Sequence, residues 1–522
     1  MTNRKLIKST GIIGSATTAS RLLGFLRDIL IASRFGTGIF AQAFVVAFRL
    51  PNMLRDMVGE GATNAAIVPI LTEYRHTRTE EEYWEAARII LNLMLTVLVV
   101  LSVAGVVFAP LLVRVIAPGF LRSPEKFATT VLLTRIVFPY ILLLGMVAYS
   151  KGVLNSLHYF TTPALAPVVL NTTMILALLV LCPVIGIQGL VIGVILGGVF
   201  EVLLQIPPLR SRGFRFKKDF RLVHPIARRI GQLLFPRALG TAVYQLSVLI
   251  DTVLASLAWI VGSGGVAALY YSNRLVQLPL AIFGISLATA ALPKMSKEVA
   301  SKDMKALKNT VAFSLRTIFA VMIPAAVGLM ILAQPIVRTL FQRGEFTAYS
   351  TSITVSALFF YSFGLFAYAG IKILVSTYYS MGDTRTPVRT ASISLAVNLV
   401  LNLILMFPLK VGGLALATSI AAMTNFVMLY VILKKRIGDI GTGRIFSSFG
   451  RILTASCVMG IFTFFSGRML LAGEGRSSFL VFSRLVIVII VSGMVYLAAA
   501  YIFRVESVRR LKVLVTEKIK GL

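Results

Sequence analysis

Apolar stretches long enough to cross a lipid bilayer follow one another along almost the whole chain. A membrane-spanning helix needs about 20 mainly apolar residues, and about fourteen such stretches occur with short loops between them. Only 14% of the 522 residues are charged, whereas a soluble domain carries about 25%. The sequence therefore predicts an all-α polytopic membrane protein without a sizeable soluble domain. The predicted spans are 10–34, 38–58, 87–115, 127–153, 161–184, 187–208, 228–258, 264–291, 308–333, 350–380, 387–407, 412–433, 448–470 and 478–503.

The net charge of +32 is concentrated at the ends of these spans. Because cytoplasmic loops are enriched in Lys and Arg, and the loops around 185–188, 259–263 and 408–411 are nearly uncharged, we expect both termini to be cytoplasmic. The pattern favours contact with anionic membrane lipids over binding of nucleic acid. The basic segments are 210–221, 294–308, 434–436 and 509–520.

Sequence landmarks recur at an offset of 224 residues. The matching pairs are Pro69 and Pro293, Val113-Arg114 and Val337-Arg338, Thr162-Pro163 and Thr386-Pro387, and Gly189-Leu190 and Gly413-Leu414. This predicts two six-helix lobes in parallel repeat, a class of transporter that usually binds substrate between its lobes. We expect an N-lobe at 1–222, a C-lobe at 223–440, and a C-terminal helix pair with a basic cytoplasmic tail at 441–522.

Several arginines lie inside predicted spans, where one at the bilayer centre costs about 2.5–3.5 kcal/mol on insertion scales. Guanidinium groups match phosphate oxygens, so these side chains predict a binding site for a polyphosphate. For Arg55, near a span end, snorkelling to the interface is the alternative. At the 224-residue offset, Asp251 corresponds to Arg27 and Gln245 corresponds to Arg21. The N-lobe is therefore expected to be the more cationic of the two lobes. The candidate substrate-binding residues are Arg21, Arg27, Arg49, Arg55 and Arg274.

Four acidic residues are candidates for gating or ion coupling. Asp251, inside the seventh span, is a natural site for a proton or a cation such as Na⁺. Asp383 either completes that site or caps the helix that follows. Glu60, flanked by glycines, is a candidate gate, and an ordinary loop is the alternative. Asp28 is a second gating candidate that can also pair with an arginine.

Sequence signals of catalysis are missing from the chain. It has no phosphate-binding G-x-x-x-x-G-K-[ST] loop, its three histidines are scattered, and no pair of catalytic acids stands in an exposed loop. We therefore expect a transporter rather than an enzyme, with no catalytic residues, no metal and no cofactor beyond a possible Na⁺ or H⁺ coupling ion.

Several motifs occur in an order that resembles the bacterial MurJ (MviN) family of lipid II flippases. This family is part of the multidrug/oligosaccharidyl-lipid/polysaccharide exporter superfamily. The motifs are SRLLGFLRD, AFVVAFRLPNMLRD, EGATNAAIVPILTEY, FPYILLLG, PALAPVVLN, YYSNRLVQLP, LFQRGEFTA and DTRTPV.

The resemblance implies important roles for the arginines on spans one, two and eight, here Arg21, Arg27, Arg55 and Arg274. It also implies two additional C-terminal helices that form a groove for a lipid tail. Arg49 stands where a Lys is common. Gln42 stands where an acidic residue is expected, so a periplasmic gate that uses a carboxylate there is in doubt.

The resemblance further implies movement of lipid II from the cytoplasmic to the periplasmic leaflet of the inner membrane. Lipid II is undecaprenyl-pyrophosphate carrying a disaccharide-pentapeptide, and we expect alternating access driven by membrane potential or an ion gradient. A flippase for another polyprenyl-linked glycan and a drug exporter of the same fold are the alternatives. We expect a monomer that works beside cell-wall synthesis proteins.

Overall fold

The structure is a computed structural model that describes residues 3–55, 67–216, 225–471, 478–506 and 508. Every regular element within these ranges is a helix, which confirms the all-α prediction. The chain divides into two compact units, Met1–Leu257 and Ala258–Leu522. The predicted lobe boundaries at 222 and 440, which follow the sequence repeat, stay a prediction.

The described part of the first unit contains eleven α-helices and a short 3₁₀ turn, Pro118–Arg122. The helices are α1 Asn3–Phe35, α2 Ile39–Arg55, α3 Val68–Thr77, α4 Glu80–Val107, α5 Ala109–Ile116, α6 Pro124–Val137, α7 Tyr140–Ser156, α8 Thr161–Val180, α9 Cys182–Ile185, α10 Ile187–Arg210 and α11 Pro225–Ala255.

The described part of the second unit contains eleven further α-helices and one π-helical turn, Leu280–Ile285. The helices are α12 Ala258–Val261, α13 Gly265–Pro279, α14 Ser286–Ala300, α15 Met304–Ile331, α16 Ala333–Phe341, α17 Ala348–Phe363, α18 Leu365–Ser380, α19 Arg385–Leu409, α20 Val411–Ile437, α21 Thr442–Leu471 and α22 Ser478–Ile502.

Ten of the described helices or continuous helix pairs are long and apolar enough to cross a membrane, or eleven when α17 and α18, bent by 45°, count as one span. The chain is thus a multi-pass membrane protein. Three other predicted spans correspond to α1, α2 and α11, which are not among the helices that pass the same test within the described residues. They are the helices that contain Arg21, Arg27, Arg49, Arg55 and Asp251. The count of fourteen spans stays a prediction.

The sequence repeat is also visible in the helices. Counterpart helices begin 224 residues apart at Glu80 and Met304, at Ala109 and Ala333, at Thr161 and Arg385, and at Ile187 and Val411. The residue before the last pair has a positive φ in both units, 62° at Gly186 and 52° at Lys410. The two units are therefore built from the same order of helices and breaks.

Local signals explain where individual helices begin and how closely they pack. The Thr79 side chain accepts a hydrogen bond from the Glu82 backbone, and the Glu82 carboxylate accepts one from the Thr79 backbone at 3.0 Å. This capping box starts α4, as the acidic run at 80–82 predicts. Small residues let α10 approach its neighbours, since a methyl group added to Gly193 would meet Ala177 of α8 at 2.3 Å. Such close packing brings the polar groups of α1, α7, α8 and α10 together.

Candidate functional site

One predicted arginine is fixed inside the first unit by contacts on two helices. Arg27 is 9% exposed, and its Nε and Nη2 donate to Asp28 Oδ1 at 3.0 and 2.7 Å. Its Nη1 donates to Asn171 Oδ1 of α8 at 2.9 Å. Because a buried guanidinium is tolerated only with charged and hydrogen-bonding partners, these contacts explain how Arg27 can lie within an apolar bundle. Asp28 therefore lies beside Arg27, and its gating role stays a prediction.

Asn171 joins α8 to α1 and was missed as a site residue, although it closes the motif PALAPVVLN. Its Nδ2 donates to the Ser20 backbone oxygen at 3.1 Å, and a methyl group added to Gly24 would lie 3.5 Å from that nitrogen. Ser20, Gly24 and Arg27 are spaced i, i+4 and i+7 and share one face of α1. Arg21 is off this face and is exposed.

The two arginines of α2 differ in their surroundings. Arg49 is half-buried, whereas Arg55, the last residue of the helix, is exposed. Arg55 interacts electrostatically with Glu201 of α10, and both Arg55 and Arg27 interact electrostatically with the Tyr140 hydroxyl of α7. The structure thus brings Arg27 and Arg55 around one buried polar region. This region also contains Glu201, an acid within an apolar span that was not identified from the sequence.

Arg274 lies on α13 of the second unit and is half-buried. Its Nη2 donates to the Tyr270 hydroxyl at 3.2 Å, and the guanidinium carbon lies 4.9 Å from the centre of that ring. Both residues belong to the motif YYSNRLVQLP. A π-helical turn follows directly after Pro279, and such turns are frequent at functional sites. Tyr270 thus positions the Arg274 guanidinium, and the role of Arg274 in substrate binding stays a prediction.

The predicted acidic residues differ in their burial and hydrogen-bond partners. Asp251 is buried on α11, at 8% exposure, and its ion-coupling role stays a prediction. Asp383 accepts hydrogen bonds from the backbone of Arg385 and Thr386, each at 3.0 Å, and from Arg436 at 2.5 Å. These contacts are those of a residue that caps the start of α19, and its role in ion coupling also stays a prediction. Glu60 lies outside the described residues.

The environment of Asp383 favours its ionised form. Partial burial acts to raise the pKa of this carboxyl group, but the Thr386 backbone and hydroxyl and the Arg436 guanidinium outweigh it, so the pKa lies below its usual value. Within the described residues, no group of three or more His, Cys, Asp or Glu side chains could hold a metal ion.

Gln42, at the position where an acid was expected, contacts a buried lysine. Its Nε2 donates to the Thr37 backbone oxygen at 3.0 Å, and its Oε1 accepts from Lys126 Nζ at 2.8 Å. The ammonium also lies 3.9 Å from the centre of the Phe120 ring. Lys126 is 7% exposed. The neutral amide thus supplies the acceptor that this buried ammonium needs.

Comparison with known protein families identifies one family over most of the chain. The sequence model described as "Lipid II flippase MurJ" matches residues 31–498. The chain is 33% identical over 505 residues to a probable lipid II flippase MurJ of Rhizobium tropici, covering 95% of this chain and 94% of that one. It is 34% identical over 443 residues to the lipid II flippase MurJ of Burkholderia cenocepacia, covering 83% and 84%.

Solved structures share the fold. A lipid II flippase MurJ in an inward closed conformation superimposes with a TM-score of 0.79 at 27% identity, covering 94% of this chain and 98% of that chain. An inward-facing multidrug resistance transporter of the MATE family superimposes with a TM-score of 0.68 at 16% identity, covering 81% and 96%. The second likeness concerns the fold alone.

Proposed function

This chain belongs to the MurJ family of lipid II flippases, and from that premise we propose that it moves lipid II across the bacterial inner membrane. The direction is from the cytoplasmic to the periplasmic leaflet, and the mode is alternating access. The observation that carries this proposal is the family match over residues 31–498. Both termini are cytoplasmic in the proposed topology, as the distribution of basic segments predicts.

The chemistry of the first unit supports a ligand with a diphosphate group. Arg27 is held rigidly by Asp28 and Asn171, with Arg55 acting on the same buried region. A preorganised guanidinium binds phosphate oxygens with charge-assisted hydrogen bonds. In the proposal Arg21 and Arg49 of this unit also bind the head group, Arg274 is a further substrate-binding residue, and the lipid tail remains beside α21 and α22.

Transport needs an energy source other than a nucleotide, because the chain lacks a phosphate-binding loop. One elementary charge that crosses 100 mV is worth about 2.3 kcal/mol, so membrane potential or an ion gradient can bias the cycle. Asp251 and Asp383 are the proposed ion-coupling residues, and Glu60 and Asp28 the proposed gating residues. The protein is proposed to act as a monomer beside cell-wall synthesis proteins.

The test replaces the resident lipid II flippase of a bacterium with this chain and measures lipid II exposed at the outer surface. Arg21→Ala and Arg274→Ala should abolish exposure, because each removes a donor to the head group. Arg34→Ala is the matched control, since Arg34 is exposed on α1 and donates to the Cys182 backbone oxygen at 3.3 Å. Normal exposure with both variants would refute the anion site, and accumulation of a different lipid-linked precursor on depletion would refute the substrate.

A further inference from the structure

A carboxyl group and a neighbouring amide lie buried inside α10 without all of their hydrogen-bonding partners. Glu201 is 4% exposed and Gln205, one turn later, is fully buried. Within the described part of the chain, neither Glu201 Oε2 nor Gln205 Oε1 has a hydrogen-bond partner. The Gln205 side chain folds back towards Glu201, since its Nε2 donates to the Glu201 backbone oxygen at 3.3 Å. Two buried acceptors thus lie one helical turn apart on α10, and neither accepts a hydrogen bond from the described residues.

A third buried polar residue, Tyr140 of α7, packs against the same face of α10. Gly198, Glu201 and Gln205 are spaced i, i+3 and i+7 and therefore share one helix face. Tyr140 of α7 packs on this face, because a methyl group added to Gly198 would lie 2.7 Å from its ring. The Tyr140 hydroxyl is fully buried and also lacks a hydrogen-bond partner among the described residues.

Two cations interact electrostatically with this group, Arg55 with Glu201 and both Arg55 and Arg27 with Tyr140. The helices that pack against α10 are α2, α6, α7, α8 and α9, and the described α8 has no titratable side chain. Arg55 is the charged side chain that interacts electrostatically with Glu201, and Glu201 in turn acts on Tyr140. The titratable side chains on the other four helices are Arg49, Arg55, Glu125, Lys126, Arg135, Tyr140, Tyr149, Lys151 and Cys182.

The Tyr140 hydroxyl is a donor on this face but bonds to neither acceptor, so the partner that these acceptors lack is a proton on one of them. A buried polar atom without a hydrogen bond is costly, and protonation turns Glu201 Oε2 into a donor for the Gln205 oxygen. We propose that Glu201 is a proton-binding site, which donates to Gln205 when protonated and interacts with Arg55 when ionised.

Protonation of Glu201 then controls the charge available to the substrate, an inference that rests on the proposed function. Ionised Glu201 competes with a diphosphate for Arg55, whereas neutral Glu201 leaves the Arg55 charge to the ligand. Binding of the anion and binding of the proton therefore favour each other, as linkage requires. The proton comes from water and returns to water when the head group leaves.

The first experiment detects the proton without any substrate. Full-length protein in lipid nanodiscs is studied by infrared spectroscopy for the carbonyl stretch of a protonated carboxyl group. We expect Glu201→Gln to remove such a band. Glu298→Gln is the matched control, because Glu298 is also buried and its Oε2 also lacks a partner among the described residues, but its Oε1 accepts a hydrogen bond from Thr310 at 2.7 Å. A spectrum in which Glu201→Gln removes no band, or in which added Na⁺ abolishes the Glu201 band at constant pH, overturns the proton site.

The second experiment measures the linkage with undecaprenyl diphosphate as the probe. From about pH 6 to about pH 9, wild-type affinity should fall roughly tenfold more than the affinity of Glu201→Gln. The comparison corrects for ionisation of the lipid itself, and Glu201→Asp should restore the pH dependence. Equal pH dependence in wild type and Glu201→Gln overturns the linkage. An infrared band in a protein that does not bind the lipid refutes the proposed function and leaves the proton site standing.

Discussion

The two units have the same order of helices but differ in the charge that they bury. Among the described residues that are at most 9% exposed, the second unit contains one charged side chain, Glu298, and the first unit contains five. Burying a charge costs several kcal/mol unless it is paired, so the first unit keeps charges at an energetic cost that its repeat partner avoids. The five are Arg27, Asp28, Lys126, Glu201 and Asp251.

Buried polar groups in the second unit are mostly small and neutral. Ser394 donates to the Ala421 backbone oxygen at 2.6 Å, and Ser272 donates to the Ala268 backbone oxygen. Such bonds satisfy the side chain locally and leave no net charge. The two units thus share their helix order, whereas the buried charge among the described residues is concentrated in the first unit. Four tests can break or sharpen this comparison.

The largest effect is expected at the buried ion pair of the first unit. Arg27→Ala leaves the Asp28 carboxylate, at 2% exposure, without its arginine partner. We expect a loss of about 3–5 kcal/mol in the free energy of unfolding, measured by reversible denaturation in nanodiscs. Replacing both residues with apolar ones of similar size should cost less. A loss below about 1 kcal/mol for Arg27→Ala would show that the buried pair is energetically unimportant.

The second test compares a charged with a neutral hydrogen bond. Gln42→Leu removes the acceptor of the buried Lys126 ammonium and should cost about 2 kcal/mol, whereas Ser394→Ala in the second unit should cost about 1 kcal/mol. Gln42→Glu should recover most of the loss, because it restores an acceptor. The free energy of unfolding is measured by reversible denaturation in nanodiscs, as for Arg27→Ala. Equal losses for Gln42→Leu and Ser394→Ala would contradict the contrast between the units.

The third test uses equivalent backbone positions. Gly186 has φ 62° and ψ −143°, and Lys410 has φ 52° and ψ −130°, a region in which a residue with a Cβ atom is strained. Lys410→Gly should stabilise the protein by about 1 kcal/mol, and Gly186→Ala should destabilise it by a similar amount. Thermal unfolding would show both shifts. Identical responses to the two substitutions would contradict the repeat in backbone geometry.

The smallest effect is expected at Asp383, the capping residue of α19. Because its pKa is lowered in the folded state, its contribution is present above its ordinary pKa and is lost as the pH falls through the lowered value. Asp383→Asn should cost about 0.5 kcal/mol at neutral pH and nothing in acid. The free energy of unfolding is measured by denaturation at several pH values. If its pH dependence in Asp383→Asn were parallel to that of wild type, the ionised Asp383 carboxylate would not contribute to stability as a cap.

The fold was largely predictable from the sequence, since apolar runs and the 224-residue repeat are local or directly countable signals. The site was predictable only in part. Arg21 and Arg27 look alike in sequence, yet one is exposed and the other is buried. The difference depends on Asn171, which comes from α8 and is far away along the chain.

Lys126 and Glu201 were missed for a related reason. Each lies near or within an apolar run, and its significance depends on partners from other helices, such as Gln42 for Lys126 and Arg55 for Glu201. Sequence spacing along one helix does not show such pairs. The basic segments, by contrast, are continuous and were visible directly.

The central claim is that guanidinium groups of the first unit bind a lipid-linked diphosphate. It is tested most directly by the affinity of lipid II for purified protein in nanodiscs, with Arg21→Ala compared with Arg34→Ala. Both variants remove one exposed positive charge from α1. A charge-assisted hydrogen bond lost at Arg21 should weaken binding about tenfold or more, whereas Arg34→Ala should bind like wild type. Equal affinities for the two variants would contradict the account.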